Sequence, residues 1–482
     1  MSHRDVWKSG LAGNARALQQ ALSLWLRSVV FASVVFRSDC KWTPLGLSAT
    51  ALLWGCSGAV ALTDRWEQAL EAALEILPGQ VPAKMSYQAF VKMLRRWTPK
   101  LREALLIAFR SQVETLFPKL FRLYGYAVYA GDGSRLDLPR TKSQEAVNSP
   151  AKYRNLPKKP KKKGQKTAQS KAKAKAAKKS RSSAAARARQ GSKPMMWITT
   201  LWHVMTGLAW DWRLGPSDSS ERAHLREMLA SLPLLSLIIC DAGFVGYDFF
   251  KSIIDAKQQL LIRVGSNVRL LRKLGTVCET SQTVYLWPEA AQKRKQPPLV
   301  LRLVVLNDGR KPVYLVTSVL DDKKLSDARV AELYRRRWGI ELYYRHLKQT
   351  FGRAKLRSHN AENADIEMHW ALLGLGAMLL NTTHELQKVN IAPNRLSVAA
   401  MLKAFRSVIS DYDRAPKPGK SLKKRLQVAI IDAYQRKGKA SRDYPRKHKE
   451  TAAGPPLIES ATKTQRQFAK ALATNSQKGL TA

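Results

Sequence analysis

The chain has 482 residues, enough for two to four domains with real hydrophobic cores. Its 83 lysines and arginines against 36 acidic residues give a formal net charge of +47. Such a surplus calls for a polyanionic partner: nucleic acid first, because neutralising phosphates releases counterions, and an anionic membrane surface second. Cys40, Cys56, Cys240 and Cys278 show no Cys-x-x-Cys spacing and no matching histidines, which speaks against a zinc or disulfide framework and for a reducing cytoplasm. Met1 to Arg16 is polar and lacks the apolar run of a secretory signal.

In chain order, Gly13 to Val35 and Ser86 to Leu116 carry apolar residues at helical spacing among many basic ones. Residues 1–122 are therefore expected to form a helical DNA-binding or oligomerisation region. Within it, residues 42–62 carry no charge and are long enough to span a bilayer, but Pro44, Gly46, Gly55 and Gly58 interrupt them. A buried helical hairpin is the expectation there. Tyr126 to Gly131 reads as a strand entering Asp132-Gly133-Ser134. Lys152 to Lys193 is rich in Lys, Arg, Ala and Ser, with no acid from Ala146 to Trp210. It cannot bury enough apolar surface to fold and reads as a disordered DNA tether.

Met195 to Met205 and Leu208 to Leu214 read as strands joined at Thr206-Gly207. A helix follows, with Ser219 or Ser220 as N-cap and Glu221 to Leu229 as its body. Leu232 to Cys240 has the apolar character of a strand buried on both faces, and ends at Asp241-Ala-Gly243. Residues 258–320 alternate as several antiparallel strands, and Met368 to Leu380 reads as a core helix. The tail after Ala415 is polar, basic and expected to be poorly ordered. His203, His346 and His369 lie among apolar residues and read as packing or solvent-facing groups.

The densest signal is Tyr334 to Lys348. Tyr334, Arg337, Glu341 and Lys348 fall within about 60° of one another on a helix of about four turns. Leu333, Ile340, Tyr344, Leu347 and Phe351 form an apolar seam rotated by roughly 75°. One carboxylate among two cations and a phenol suits a group that holds a metal while its neighbours hold phosphates. The plainer alternative is a solvated helix face with Glu341 paired to Arg337 or Arg345. Trp338 reads as a core residue that fixes this helix.

Asp132 and Asp241 are expected at the C-terminal ends of strands, each with a glycine within two residues. Either one alone equally well caps a turn. Together with Glu341 they form a set of hard oxygen donors suited to Mg²⁺ or Mn²⁺. Two such ions about 4 Å apart would activate a nucleophile and stabilise the leaving oxygen of a phosphodiester.

Tyr334-x2-Arg337-x3-Glu341-x6-Lys348 resembles, without a gap, the signature of DDE transposases of the insertion-sequence-4 class, and Asp132-Gly-Ser and Asp241-Ala-Gly-Phe244 resemble the family's two aspartate motifs. The resemblance covers roughly residues 86 to 385. It implies an α/β protein with a ribonuclease-H-like catalytic core, a β-rich insertion and an N-terminal helical domain. The core would comprise residues 123–256 and 329–385, the insertion 257–328, and a basic, partly disordered C-terminal region 386–482.

The same resemblance makes Asp132, Asp241 and Glu341 the metal ligands, with two Mg²⁺ or Mn²⁺ per site. Tyr334, Arg337 and Lys348 would grip phosphates near the scissile bond. Some relatives place a tryptophan on an insertion strand to receive a flipped base; the comparable register falls on Val313, with Tyr314 beside it, and assigns the stacking to Tyr314. The implied reaction is nicking at the element end followed by attack of the freed 3′-hydroxyl. The implied partner is double-stranded DNA held by a homodimer, on the nucleoid of a prokaryotic cytoplasm and away from membranes. A transposase-derived protein that only binds DNA is the runner-up, and a membrane-associated basic protein the third reading.

Overall fold

The computed structural model describes residues 7–154, 193–307, 312–431 and 454–478, so nearly all of the basic insert at 152–193 lies outside the described residues. The N-terminal region is helical: α1 (Gly13–Ser23), α2 (Pro44–Cys56), α3 (Leu62–Ile76) and α4 (Tyr87–Leu116). Thr43 caps α2 by accepting from the Gly46 amide at 3.0 Å, with Pro44 in the first turn where no hydrogen bond is lost. Every residue from Leu45 to Cys56 is buried. Residues 44–56 of the uncharged stretch thus form one buried helix and residues 58–61 a largely exposed link to α3, so the stretch itself is not a hairpin. Its glycines serve close packing: a Cβ on Gly55 would stand 2.3 Å from the Trp370 carbonyl oxygen, and one on Gly46 would stand 2.1 Å from that of Gln80. Among the described residues, no helix is long and apolar enough to cross a membrane.

The centre of the molecule is a mixed α/β arrangement around one sheet. Its strands are β1 (Ala127–Asp137), β2 (Met195–His203), β3 (Leu208–Pro216), β4 (Ser236–Cys240), β5 (Gln259–Val264), β6 (Arg269–Arg272), β7 (Thr283–Leu286), β8 (Leu299–Leu306), β9 (Val313–Thr317) and β10 (Leu457–Ser460). The ten strands run in the order β10-β6-β7-β8-β9-β5-β4-β1-β2-β3. β1, β2 and β3 form an antiparallel meander, whereas β4 and then β5 add parallel to β1. The crossovers use α5 (Glu221–Met228), capped by Ser220, and α6 (Tyr247–Asp255). β4 is buried along its whole length, as its unbroken apolar run requires. The alternating strands after Gln258 extend this same sheet instead of forming a separate layer.

Three further helices cover the sheet and its flank: α7 (Asp327–Arg336), α8 (Trp338–Arg345) and the long α9 (Ala361–Lys388), followed by α10 (Val398–Ser410) and α11 (Lys463–Lys478). Met368 to Leu380 lies inside α9 and is buried except at His369, matching the expected core helix. Of the tail after Ala415, residues 432–453 and 479–482 lie outside the described residues, and the described part differs from expectation. Leu457 to Ser460 pairs parallel with β6 at the sheet edge, and Phe468 of α11 stacks on Trp287 at 5.6 Å. Short apolar anchors hold these basic segments in place, which their overall composition concealed.

Candidate active site

The register of the parallel pair fixes the first two acids. Ala127 to Ala130 pair with Ser236 to Ile239, so continuing the register two residues sets Asp132 opposite Asp241. Contrary to expectation, Asp132 is not at a strand end. It lies mid-strand, because β2 continues to pair with β1 as far as Asp137 after β4 has stopped. The two acids therefore meet where the parallel neighbour ends. Asp132 Oδ1 accepts from the Gly133 amide at 2.9 Å, and Asp241 Oδ1 accepts from the Gly243 amide at 2.9 Å, capping a short turn.

Glu341 arrives from the helical segment above. The segment from Asp327 to Thr350 is not one uniform helix: it breaks at Arg337 and ends in a π-helical turn from His346 to Thr350. The predicted seam holds across these breaks, since Leu333, Ile340, Tyr344, Leu347 and Phe351 are all buried. Tyr344 secures the placement by donating to the Asp132 carbonyl oxygen at 2.8 Å. Trp338 is 52% exposed and so is not the core residue expected. At 100° per residue it stands about 40° from Tyr334, on the polar edge rather than the seam.

The polar edge is tightly interlinked. Arg337 donates to Glu341 Oε1 at 2.8 Å, and its guanidinium lies 5.7 Å from the Tyr334 ring centre. Lys348 sits in the π turn, where burial, opposed by the charges of Asp137 and Asp132, lowers its pKa. Burial raises Asp132 to about 6, with the charges of Asp241 and Glu341 adding to the rise. Burial likewise raises Tyr334 and Tyr344.

Tyr314 is not brought to this cluster. It pairs with Val264 and Val305 in mid-sheet, and strand alternation puts it on the opposite face from Arg263. Arg263 is itself a residue the sequence reading missed; its positive charge acts on Tyr334. In the sequence Glu221 is marked only as the first residue of a helix body. Burial first, and then the charges of Asp132 and Asp241, push its pKa up to about 7. The available signal was an acid in the opening turn of the helix that follows the β1–β3 meander.

Among the described residues, no three Asp, Glu, His or Cys side chains are gathered closely enough to hold a metal ion; Glu341 instead engages Arg337. The three acids offer only carboxylate oxygens, the donor type that hard divalent cations take, and the β1–β4 register sets two of them, Asp132 and Asp241, opposite each other. Glu221 packs against Gly133, where an added Cβ would stand 2.3 Å from its Oε1.

The profile of the family described as "Transposase DDE domain" matches residues 128–375, just over half of the chain. "Transposase InsG for insertion sequence element IS4" from Escherichia coli (strain K12) is 26% identical over 181 residues, which cover 36% of this chain and 39% of that protein. The matched stretch is thus well under two thirds of that relative's length. A solved structure, "Cryo-EM structure of piggyBac transposase synaptic complex with hairpin DNA (SNHP)", aligns over 91% of this chain and 90% of that one, with 10% identity and a TM-score of 0.37.

Proposed function

Because the chain belongs to the transposase DDE domain family, we propose that it is a metal-dependent transposase that cuts DNA at the ends of its element and joins the freed 3′-hydroxyl to target DNA. The observation that carries this reading is the meeting of Asp132 and Asp241 through the β1–β4 register, beneath a helix tied down by the Tyr344–Asp132 hydrogen bond. The β5-β4-β1-β2-β3 segment of the sheet, with β2 alone antiparallel to both of its neighbours, supports a ribonuclease-H-like core.

Asp132, Asp241 and Glu341 would hold the cations. Mg²⁺ or Mn²⁺, when bound, lowers the pKa of the attacking water or hydroxyl and stabilises the leaving oxygen. The chain's own residues do the rest. Arg337 neutralises Glu341 in the free protein and turns to a phosphate when DNA arrives. Lys348 approaches from the Asp137 side, and Tyr334 shields the pocket from water while presenting its hydroxyl. Arg263 extends the positive surface along β5. The net charge of +47 supplies sequence-independent attraction to the DNA backbone. The helical region to residue 122 takes the end-recognition or dimerisation role, since two element ends must be paired.

The test is cleavage of a duplex carrying the element's end by wild type and by Glu341→Gln, in Mg²⁺ and in EDTA. Nicking that requires metal and is lost in the variant is the expected result. Tight binding without nicking under any condition would replace this reading by that of a DNA-binding protein.

A further inference from the structure

Between the π turn that carries Lys348 and the start of α9, residues 353–360 form a connection whose side chains alternate as on a strand. Leu356 and Ser358 are buried, at 0% and 3% exposure, whereas Lys355, Arg357 and His359 point outward and are exposed. The backbone of this connection is fixed from both sides. The Asp137 amide donates to the Ala354 carbonyl oxygen at 3.0 Å and the Leu356 amide donates to that of Asp137 at 3.0 Å, which lays the segment along the end of β1. The Arg357 and Ser358 amides each donate to the buried Glu367 carboxylate at 3.0 Å. The Thr141 hydroxyl donates to the His359 carbonyl oxygen, and the Gln144 side-chain amide donates to those of Ser358 and Asn360 at 3.0 and 3.1 Å.

The main chain is thus fully engaged, while the outward side chains are not. Among the described residues, Lys355, Arg357 and His359 make no side-chain hydrogen bond and no ion pair. The acids around them are each taken by another cation: Asp137 by Lys193 at 2.8 Å, Glu362 by Arg95 at 3.3 Å and Glu367 by Arg65 at 3.3 Å. Alternate residues of an extended chain stand roughly 6.7 Å apart, close to the separation of neighbouring phosphates along one DNA strand. Lys355 lies beside Asp137, and Asp132 lies further back on the same strand, roughly 17 Å away at about 3.4 Å per residue. Measured along DNA, that is a distance of about five nucleotides.

Resting on the reading of the chain as a transposase, we propose that residues 353–360 are a rigid rail for duplex DNA. Lys355 and Arg357, with His359 as a third donor, hold successive backbone phosphates about five nucleotides from the scissile bond. Arg357 offers a planar fork that can take two phosphate oxygens at once, and Lys355 a point charge. Contacts of this kind carry no base information, so the rail sets the register and direction of the duplex across the acids and leaves its sequence unread.

The experiment measures the affinity of the full chain, in EDTA, for a duplex carrying the element's end, from low to high salt. Lys355→Gln and Arg357→Gln alter exposed side chains whose backbone alone is anchored, so both should melt as wild type. Each should lower the slope of log affinity against log salt by about 1, and the double variant by about 2. Neutral methylphosphonates placed about five nucleotides from the cleaved bond should weaken wild-type binding severalfold and leave the double variant no weaker than it already is. Lys417→Gln with Lys420→Gln, which removes two exposed cations after α10, should bind as wild type. If the double rail variant keeps the wild-type slope while Arg337→Ala loses affinity, the rail is not on the path of the DNA. Equal losses in the Lys417/Lys420 pair would overturn the proposal as a bulk charge effect. If wild-type affinity itself does not depend on salt, the DNA reading of the whole chain fails, and the rail with it.

Discussion

Tyr344 donates its phenolic O–H to the main-chain carbonyl of Asp132 at 2.8 Å and lies 3.4 Å from that of Ile198, joining α8 to the strands β1 and β2 at the level of the acids. Glu341 is less than one turn away on the same helix, so this buried hydroxyl positions one acid relative to another. Tyr344→Phe keeps the ring and removes the link. The expected cost is about 1–3 kcal/mol of stability from a buried acceptor left short of a donor. Cleavage should fall by roughly tenfold or more, since misplacing a catalytic group by about 1 Å can cost about a hundredfold. Urea unfolding and end-cleavage rates check the two parts. Unchanged cleavage would mean that the helix is held by its seam alone.

The acids themselves predict a separation of binding from chemistry. Asp132→Asn, Asp241→Asn and Glu341→Gln should each abolish strand cleavage while leaving DNA affinity in EDTA close to wild type. The shapes are conserved and only metal-binding charge is lost. A gel-shift and a nicking assay on the same preparations decide it. Any variant that still cleaves removes its residue from the site.

Arg337 and Lys348 predict a different pattern. In the free protein Arg337 is committed to Glu341 at 2.8 Å, so its phosphate role requires an exchange of partners on DNA. Arg337→Ala and Lys348→Ala should weaken binding to element-end and unrelated duplexes alike, and each should reduce the slope of log affinity against log salt by about 1. Binding measured from low to high salt tests this. An unchanged slope in both variants would leave the polar edge with a structural role only.

These predictions rest on features that differed in how legible they were. The apolar seam of the Tyr334–Lys348 segment was readable because burial follows periodicity, and Leu333, Ile340 and Leu347 are fully buried. The cap at Ser220, one of two adjacent candidates, is readable because a hydroxyl before a helical run satisfies an otherwise orphan amide. Trp338 was misjudged by residue type, although its angle already put it on the polar edge. The π turn at His346 and the joining of β10 to β6 depend on tertiary contacts that no local pattern encodes. The packing of Glu221 on Gly133 is hidden for a related reason, since the two lie far apart in the chain.

The N-terminal helices are coupled to the sheet flank through a buried charge. Glu367 of α9 pairs with Arg65 of α3 at 3.3 Å, with side-chain exposures of 1% and 5%. It also accepts from the Arg357 amide at 3.0 Å and from the Ser358 amide and hydroxyl at 3.0 and 2.9 Å. Glu367→Ala leaves Arg65 buried without its counter-charge and several donors without an acceptor. A loss of about 3–5 kcal/mol is expected, as for other broken buried pairs. Chemical denaturation measures it. A loss below about 1 kcal/mol would mean that the pair behaves as a surface one.

His203 predicts acid sensitivity of the core. Its Nε2 lies 3.0 Å from the Phe121 carbonyl oxygen and must donate to it, so Nδ1 accepts, with the Thr206 hydroxyl at 2.8 Å. Burial lowers its pKa to about 4 from an ordinary value of 6.5. The folded state therefore binds fewer protons than the unfolded one between these two values, and stability rises with pH across that window. Full stability from this group is present above pH 6.5 and is lost progressively down to about pH 4, below which the effect levels off. At about 1.4 kcal/mol per unit the loss reaches at most about 3.5 kcal/mol. Thermal melts from pH 7 to pH 4.5 should show it, and His203→Gln, which keeps a donor for Phe121 but cannot titrate, should flatten the dependence over that range. If wild type and variant decline in parallel, the acid sensitivity comes from other groups.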